Sequence, residues 1–275
     1  MIMDLIVFDL DGTLLNENSQ ISNFTKETLE LLSANEIAFT VATGRTQYSA
    51  EHIVAGHKFI LPHIYSNGVI VWDPQNESLS LDNLLSAADV QYVLEGSFLQ
   101  KITPFISAVD DHNQHHIYHP AVQHPVEQKL LETYLSRANS NILPVGQMPT
   151  NVHITNISMI GHADDIDAMR TLINTQTHLI AYSGPAVEGS GLKWMDIHHN
   201  QANKGSAVEA LRDKLAAKNV MCFGDSDNDL SMFAIANESF APSNAKAEIK
   251  SAATGVIGHH KEDGVAEFLR ERFNL

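Results

Sequence analysis

Residues 5–14 read LIVFDLDGTL, an apolar run that ends at Asp9 and is followed by Asp11 and Gly12. A continuous apolar run of this length is typical of a strand covered on both faces, as in a parallel sheet. Of two carboxylates spaced two apart at a strand end, one can attack phosphorus and bind a cation while the other exchanges a proton with the leaving oxygen. Gly12 permits the tight turn that would aim both. An Asp-Gly pair alone more simply forms a turn, but the whole stretch favours the chemical interpretation.

Two further apolar runs end in polar residues. Residues 38–42 precede Thr43 and Gly44, and residues 220–223 lead to Asp225. In open α/β sheets, ligands bind outside the carboxyl ends of the strands. The three runs therefore predict one shared site at the edge of a parallel sheet.

Amphipathic helices separate these runs. Apolar residues recur at helical spacing in residues 24–34, 205–217 and 265–273. Strand, helix, strand order at both ends of the chain predicts an α/β fold with a doubly wound, Rossmann-like parallel-sheet core.

The middle of the chain has a different organisation, because none of its strands ends in an obvious catalytic group. Its predicted helices are residues 86–99, 126–138 and 164–174, and its predicted strands are residues 103–109, 152–160 and 178–182. The sequence therefore predicts an inserted α+β cap domain at residues 82–186, with residues 1–81 and 187–275 forming the core.

The composition excludes several classes of function. The 275 residues contain 17 Lys and Arg against 33 Asp and Glu, a net charge of -16. Such a surface repels nucleic acid and anionic lipid. No stretch approaches the length of a membrane span, and the single Cys222 suits a reducing compartment. We expect a cytoplasmic protein with no nucleic-acid or membrane partner.

A phosphate ester would need local positive charge on so acidic a chain. Lys204 precedes an amphipathic helix, so its ammonium is expected near the positive helix end, where phosphate is favoured. Taken alone, Lys204 would more simply be a solvated surface lysine. Asp225 ends a buried strand, and a bound cation would offset the cost of burying its carboxylate. Mg²⁺ prefers such oxygen ligands and needs few from the protein.

Four short motifs, taken in order, resemble those of the haloacid dehalogenase superfamily, and more closely its Cof-like branch with a type IIB cap. Residues 9–13, 43–45, 204–205 and 224–229 resemble the first to the fourth motif. The ordered set is far more specific than any one of its members and spans nearly the whole predicted core.

The resemblance implies a role for each matching residue. Asp9 would be the nucleophile and Asp11 the general acid and base. The substrate-binding residues would be Thr43, Gly44, Lys204 and Asn228. Mg²⁺ would be held by the side chains of Asp9 and Asp225 and the backbone carbonyl of Asp11. Asp229 would orient the metal site or Lys204, and Asp227 is expected to be a solvated loop acid.

The implied reaction is Mg²⁺-dependent hydrolysis of a small phosphorylated metabolite through an aspartyl-phosphate, with the cap reading the leaving group. A sugar-phosphate phosphomutase is an alternative, because it would share the nucleophile and the acid–base pair. A catalytically silent sugar-phosphate binding protein is a third hypothesis. The intact aspartates argue against the silent protein, which has no need of a nucleophile. The sequence indicates neither the metabolite nor the oligomeric state.

Three other features are less specific. Asn67, in a stretch resembling a turn of the same branch, could touch substrate or simply form an Asn-Gly turn. Asn244 lies where the branch has a Gly-Asn-Ala triplet, but Ser243 replaces the glycine. Residues 112–124 carry five histidines, which could bind a transition metal or phosphate. Strand alternation would place His115 and His116 on opposite faces of a strand. We therefore favour exposed loop and hairpin positions for these histidines over a shared binding site.

Overall fold

The computed structural model describes residues 4–135, 141–186 and 188–275. They divide into two compact units, Met1–Asp82 with Ala202–Leu275 and, inserted between these segments, Asn83–Gln201. We call the first unit the core and the second the cap. The end of the helix predicted at residues 126–138 lies outside the described residues.

Strands and helices alternate along the core, whereas strands dominate the cap. The strands are β1 (Asp4–Phe8), β2 (Ala38–Val41), β3 (His63–Tyr65), β4 (Ile70–Asp73), β5 (Ser78–Leu81), β6 (Phe105–Val109), β7 (His115–His119), β8 (Asn141–Pro144), β9 (His153–His162), β10 (Leu179–Pro185), β11 (Leu192–His199), β12 (Asn219–Phe223), β13 (Glu238–Pro242) and β14 (Gly255–Ile257). The α-helices are α1 (Asn23–Ala34), α2 (Gln47–Val54), α3 (Ala87–Gln100), α4 (Pro125–Leu135), α5 (Ala163–Ile173), α6 (Lys204–Leu215), α7 (Leu230–Ile235), α8 (Ala247–Ala252) and α9 (Gly264–Phe273).

The core contains a five-stranded parallel sheet in the order β14-β13-β12-β1-β2. Strand β1, which lies between β12 and β2, is buried along Leu5 to Phe8, as the continuous apolar run predicts. A small antiparallel sheet, β3-β4-β5, follows α2, and an isolated bridge from Ala42 to Ile64 joins it to the end of β2. The predicted α/β doubly wound core is confirmed.

The cap is a six-stranded sheet in the order β10-β11-β9-β6-β7-β8, antiparallel except where β7 pairs with β8. Side chains from alternate positions of β6, β9 and β11, such as Ile106, Ile157 and Ile197, form one apolar cluster with α3 and α5. The opposite face of the sheet is more polar. The cap is therefore an α+β unit with helices against one face.

The boundary predicted between residues 186 and 187 differs from the division between Gln201 and Ala202. The reason is β11, which pairs with β10 on one side and β9 on the other. Its Met195 and Ile197 are fully buried in the apolar cluster of the cap. Neither partner strand is identified by the local sequence of β11, so its membership of the cap was missed.

Within the described residues, no helix is both long and apolar enough to cross a membrane.

Candidate active site

The ends of three core strands meet at one edge of the parallel sheet. β1 lies between β2 and β12, and the backbone N–H of Asp9 donates to the carbonyl of Phe223 at 2.9 Å. The N–H of Ala42 donates to the carbonyl of Phe8 at 2.8 Å. This register brings the residues that follow the strands, Asp9, Thr43 and Asp225, to the same edge.

The loop after β1 turns sharply at Gly12, whose φ is +75°. A Cβ at this position would overlap the carboxylate of Asp225, so only glycine lets the loop approach that side chain. The side-chain amide of Asn244 donates to the Gly12 carbonyl at 2.8 Å and accepts from the N–H of His260 at 3.2 Å. Asn244 therefore anchors the loop that carries Asp11, a role that its sequence context left open.

Lys204 lies at the centre of a cluster of carboxylates. Its ammonium donates to Asp9 Oδ1 and to Asp229 Oδ1, both at 2.6 Å, and its side chain is fully buried. It is the first residue of α6, whose N-terminus is capped by Asn203 accepting from the N–H of Ser206. Lys204 thus supplies, within this cluster, the local positive charge that an acidic chain would need in order to bind a phosphate ester.

The two oxygens of Asp229 are both engaged by donors. Oδ1 accepts from Lys204, and Oδ2 accepts from the backbone N–H groups of Asp225 and Ser226, each at 2.9 Å. A Cβ on Gly224 would overlap this carboxylate, so the glycine makes room for it. Asp229 therefore orients Lys204 and the loop that carries Asp225. By contrast, the Oδ2 atom of Asp9 accepts no hydrogen bond from the described residues.

The carboxylates of Asp9, Asp225 and Asp229 can each place an oxygen within 4.8 Å of the others. Burial, then repulsion from Asp229, raises the pKa of Asp225 to about 6, while Lys204 opposes the shift. Burial also raises the pKa of Asp9 above its usual range, although Lys204 opposes it. Burial would lower the pKa of Lys204, but Asp229 and Asp9 together hold it above its usual value. One ammonium does not neutralise three acids, which is the electrostatic condition for binding a cation.

Lys204→Met is expected to destabilise the protein by about 3–5 kcal/mol near pH 8, because it leaves buried carboxylates without their counter-charge. This loss of unfolding free energy should shrink as the pH falls toward 5. The carboxyls with raised pKa values then take up protons in the folded state, so fewer buried negative charges lack a partner. Chemical denaturation at several pH values measures this. Lys214→Met on the same helix is the matched control, because Lys214 is largely exposed and pairs with Asp73 at 3.3 Å. Equal losses in the two variants would contradict the electrostatic account.

Thr43, Gly44 and Asn228 come together around a short turn, Ser66–Gly68. The Thr43 carbonyl accepts from the N–H of Asn67, and Thr43 Oγ1 accepts from the N–H of Arg45 at 3.1 Å, which leaves its hydroxyl hydrogen free to donate. Asn228 Nδ2 donates to Asn67 Oδ1 at 2.9 Å. A Cβ on Gly44 would lie 3.3–3.4 Å from these two amides. Asn67 forms the expected turn and also orients Asn228.

Arg45 is a site residue to which the sequence analysis gave no role. Its guanidinium donates to both oxygens of Asp11 at 2.6 Å, a bidentate pair in which the Asp11 side chain is 52% exposed. The hydrogen bond to Asp11 raises the pKa of Arg45. The sequence feature that could have identified Arg45 as a site residue is its position directly after Thr43 and Gly44, at the end of a strand beside β1.

The histidines of residues 112–124 do not form a metal centre, since the described residues place no three potential ligands together around them. His116 in β7 bonds to Asp110 at 2.9 Å, and His119 to the carbonyl of Pro120 at 2.7 Å. These contacts stabilise the turn before β7 and the chain after it.

Comparison with known proteins identifies the family of the chain. Residues 6–269 match the family model described as haloacid dehalogenase-like hydrolase. The chain belongs to this family. The hydrolase is 26% identical over 282 residues to the 5-amino-6-(5-phospho-D-ribitylamino)uracil phosphatase YitU of Bacillus subtilis (strain 168), with 98% of each chain covered. It is 27% identical to the HMP-PP phosphatase of Escherichia coli O157:H7, covering 96% of this chain and 94% of the relative.

Solved structures share the fold of the hydrolase. A haloacid dehalogenase-like hydrolase from Bacteroides thetaiotaomicron superposes with a TM-score of 0.78 at 22% identity, over 98% of this chain and 99% of that one. A sugar phosphatase described as subclass IIB superposes with a TM-score of 0.76 at 19% identity, over 99% of both chains. The resemblance to the Cof-like branch with a type IIB cap is confirmed, and the hydrolase is a phosphoric monoester hydrolase.

Proposed function

We propose that this hydrolase is a Mg²⁺-dependent phosphatase of small phosphorylated metabolites that forms an aspartyl-phosphate on Asp9. The observation that carries the proposal is the position of the Asp9 carboxylate. It lies at the end of β1, with Oδ1 held by Lys204 at 2.6 Å and Oδ2 without a hydrogen bond from the described residues. A fixed carboxylate beside a buried ammonium suits attack on phosphorus, because the ammonium compensates the charge of the phosphoryl oxygens.

In the first step, Asp9 attacks phosphorus and Asp11 gives a proton to the leaving alcohol. In the second step, Asp11 takes a proton from the water that attacks the aspartyl-phosphate. Thr43, Lys204 and Asn228 donate hydrogen bonds to the phosphoryl oxygens, with Asn67 fixing the amide of Asn228. Arg45 orients Asp11 through its bidentate pair.

The acid cluster fits Mg²⁺ better than any softer metal, because every candidate ligand is an oxygen. We assign the side chains of Asp9 and Asp225 and the backbone carbonyl of Asp11 as ligands. Asp229 supports the site without ligating, since both of its oxygens accept hydrogen bonds. The ion supplies charge neutralisation to the phosphoryl group when bound.

The relatives support a small phosphorylated metabolite as substrate, because the names of YitU and of the HMP-PP phosphatase describe phosphatases. Apart from Asp11 and its partner Arg45, the core residues described above serve the phosphoryl group or the metal, so we assign recognition of the leaving group to the cap. The single, buried Cys222 supports a cytoplasmic location.

Removal of the metal should abolish activity. We expect EDTA to stop hydrolysis of p-nitrophenyl phosphate and added Mg²⁺ to restore it. Asp225→Asn should need at least ~10-fold more Mg²⁺ for half-maximal activity, because a charged carboxylate ligand becomes a neutral amide. Mg²⁺ should also raise the melting temperature of the wild type more than that of this variant.

The matched control is Asp227→Asn, two residues away. The Asp227 side chain is 55% exposed and pairs with Lys246 at 2.9 Å, so its loss should not change the Mg²⁺ requirement. Full activity in excess chelator would exclude the metal from the reaction.

A further inference from the structure

The core contains a cleft that shares no residue with the acid cluster. Its volume is about 310 Å³, near the lower end of the ~300–1,000 Å³ that is typical of small-molecule sites. Its walls come from the last turn of α2, the loop that follows this helix, and strands β3 and β4 of the small antiparallel sheet. Ile60 lines the cleft and is 57% exposed, so an apolar part of the wall is open to solvent.

Most of the wall is apolar or aromatic. Trp72 of β4 stands directly opposite His63 of β3. Phe59 and Val54 line the cleft beside them. The His63 ring is held in place, because Nδ1 bonds to the Tyr65 hydroxyl at 3.0 Å and Nε2 to the Phe59 carbonyl at 3.2 Å. A rigid wall of this kind favours an apolar or aromatic group in the cleft.

Two opposite charges line the same cleft. Glu51 belongs to α2 and Lys58 to the loop that follows it, and both residues are exposed. Among the described residues, neither side chain forms an ion pair or a hydrogen bond. The cleft therefore offers an acceptor for an ammonium group and a donor for a carboxylate, next to an apolar wall.

We propose that this cleft is an effector site for a free amino acid with an apolar side chain, and that the bound amino acid lowers the KM of the hydrolase for its phosphorylated substrate. The α-ammonium pairs with Glu51 and the α-carboxylate with Lys58, while the side chain lies against Trp72 and Phe59. An amine or a carboxylate with the same apolar group leaves one of the two charges of the cleft without a partner. A zwitterion with an apolar side chain matches all three features.

The elements that line the cleft also lead to the proposed phosphoryl-binding residues. Helix α2 begins two residues after Arg45, and β3 leads directly into Ser66. The N–H of Ser66 donates to the carbonyl of Arg45 at 2.8 Å, and the N–H of Asn67 donates to the carbonyl of Thr43 at 3.0 Å. A ligand that joins the end of α2 to the start of β3 therefore restrains the turn that orients Asn228. Less conformational freedom is then lost when the substrate binds, which lowers KM.

Binding is tested with four probes: L-phenylalanine, 3-phenylpropionate without the ammonium, phenethylamine without the carboxylate, and L-glutamate without the apolar side chain. The chain has two tryptophans, so Trp194→Phe leaves Trp72 as the only reporter. We expect L-phenylalanine to change the emission of Trp72 saturably. It should bind at least ~10-fold more tightly than each of the other three, because each lacks one contact.

Equal or tighter binding of any of those three probes would overturn the proposal, as would the absence of L-phenylalanine binding. Isothermal titration calorimetry with the wild type measures the same order of affinities if Trp194→Phe does not fold.

Two substitutions test the charges separately. Lys58→Gln should weaken L-phenylalanine binding about 10-fold or more and leave phenethylamine binding within about twofold. Glu51→Gln should weaken L-phenylalanine binding similarly and leave 3-phenylpropionate binding within about twofold. Lys218→Gln and Glu30→Gln are the matched controls, because both residues are exposed and neither lines the cleft. An equal loss for all probes in both cleft variants would show a merely structural role and overturn the assignment.

Kinetics distinguish an effector site from the active site. With p-nitrophenyl phosphate and saturating L-phenylalanine, we expect KM to fall at least about twofold while kcat changes less. Lys58→Gln should need about 10-fold more L-phenylalanine for the same fall, and Lys218→Gln should respond as the wild type does. A rise in KM would indicate competition at the active site, and an unchanged KM would remove the effector role; either result overturns the proposal.

The effect on KM rests on the proposed roles of Thr43 and Asn228, whereas binding in the cleft does not. Orthovanadate binding provides a readout that needs no turnover. L-phenylalanine should tighten it about twofold or more, and orthovanadate should tighten L-phenylalanine binding by the same factor. Failure to hydrolyse any phosphomonoester would refute the proposed function, whereas the absence of this mutual effect would refute the effector site.

Discussion

Asp9→Asn is expected to lose essentially all turnover, at least ~10⁴-fold in kcat, with every phosphomonoester tested. The amide keeps the shape of the side chain at the end of β1 but cannot attack phosphorus. Lys204 should remain in place because it still donates to Asp229 at 2.6 Å. Circular dichroism and binding of orthovanadate should therefore show a folded protein, while phosphate release falls to background.

Asp4→Asn is the matched control on the same strand. Asp4 begins β1, is exposed and accepts from the Asn219 amide at 2.8 Å, outside the acid cluster. Its activity should be unchanged. Substantial turnover by Asp9→Asn, or a phosphoryl adduct on any residue other than Asp9, would refute the proposed mechanism.

Asp11→Asn should leave the nucleophile intact and remove the proton carrier, slowing hydrolysis of alkyl phosphates by ~10²–10⁴-fold. An activated aryl phosphate needs little protonation to leave, so its first step should be far less affected than its second. With p-nitrophenyl phosphate, the variant should then accumulate phosphoenzyme. Intact-protein mass spectrometry should show a gain of roughly 80 Da, the mass of HPO₃, and hydroxylamine should trap the acyl phosphate.

The fold should tolerate this change, because the Asp11 side chain is half exposed and the side-chain oxygen of Asn can still accept a hydrogen bond from Arg45. Glu17→Gln is a suitable control, since Glu17 follows the same loop and is exposed, 3.5 Å from Lys261. It should behave as the wild type. Turnover of Asp11→Asn equal to that of the wild type with alkyl phosphates would remove Asp11 from the proton-transfer role.

Much of the core could be predicted because its signals are local. The apolar runs that become β1, β2 and β12 are continuous in sequence, and each strand is followed within two residues by its polar residue, Asp9, Thr43 or Asp225. A run buried on both faces belongs in the middle of a parallel sheet, and the carboxyl ends of parallel strands share an edge. The periodicity of residues 205–217 likewise predicted α6 to within two residues.

The cap was harder to delimit for the opposite reason. β11 reads LKWMDIHH, in which buried and polar residues alternate, but that pattern does not say which sheet receives the strand. Only its pairing with β9 and β10 decides this. The same pairing places Asp196 opposite Ser158 and Tyr182. These residues are far apart in the chain, so the local sequence does not reveal that they are neighbours.

The sequence by itself determined the fold class, the order of the motifs and the residue types that phosphoryl chemistry needs. Tertiary structure alone decided which groups meet: Lys204 with Asp9 across 195 residues, Arg45 with Asp11 across 34, and Asn244 with the Gly12 carbonyl across 232. Periodicity and turn chemistry act over a few neighbouring residues. Hydrogen bonds between distant side chains depend instead on sheet register and on the paths of the loops. These are defined only when the whole chain has folded.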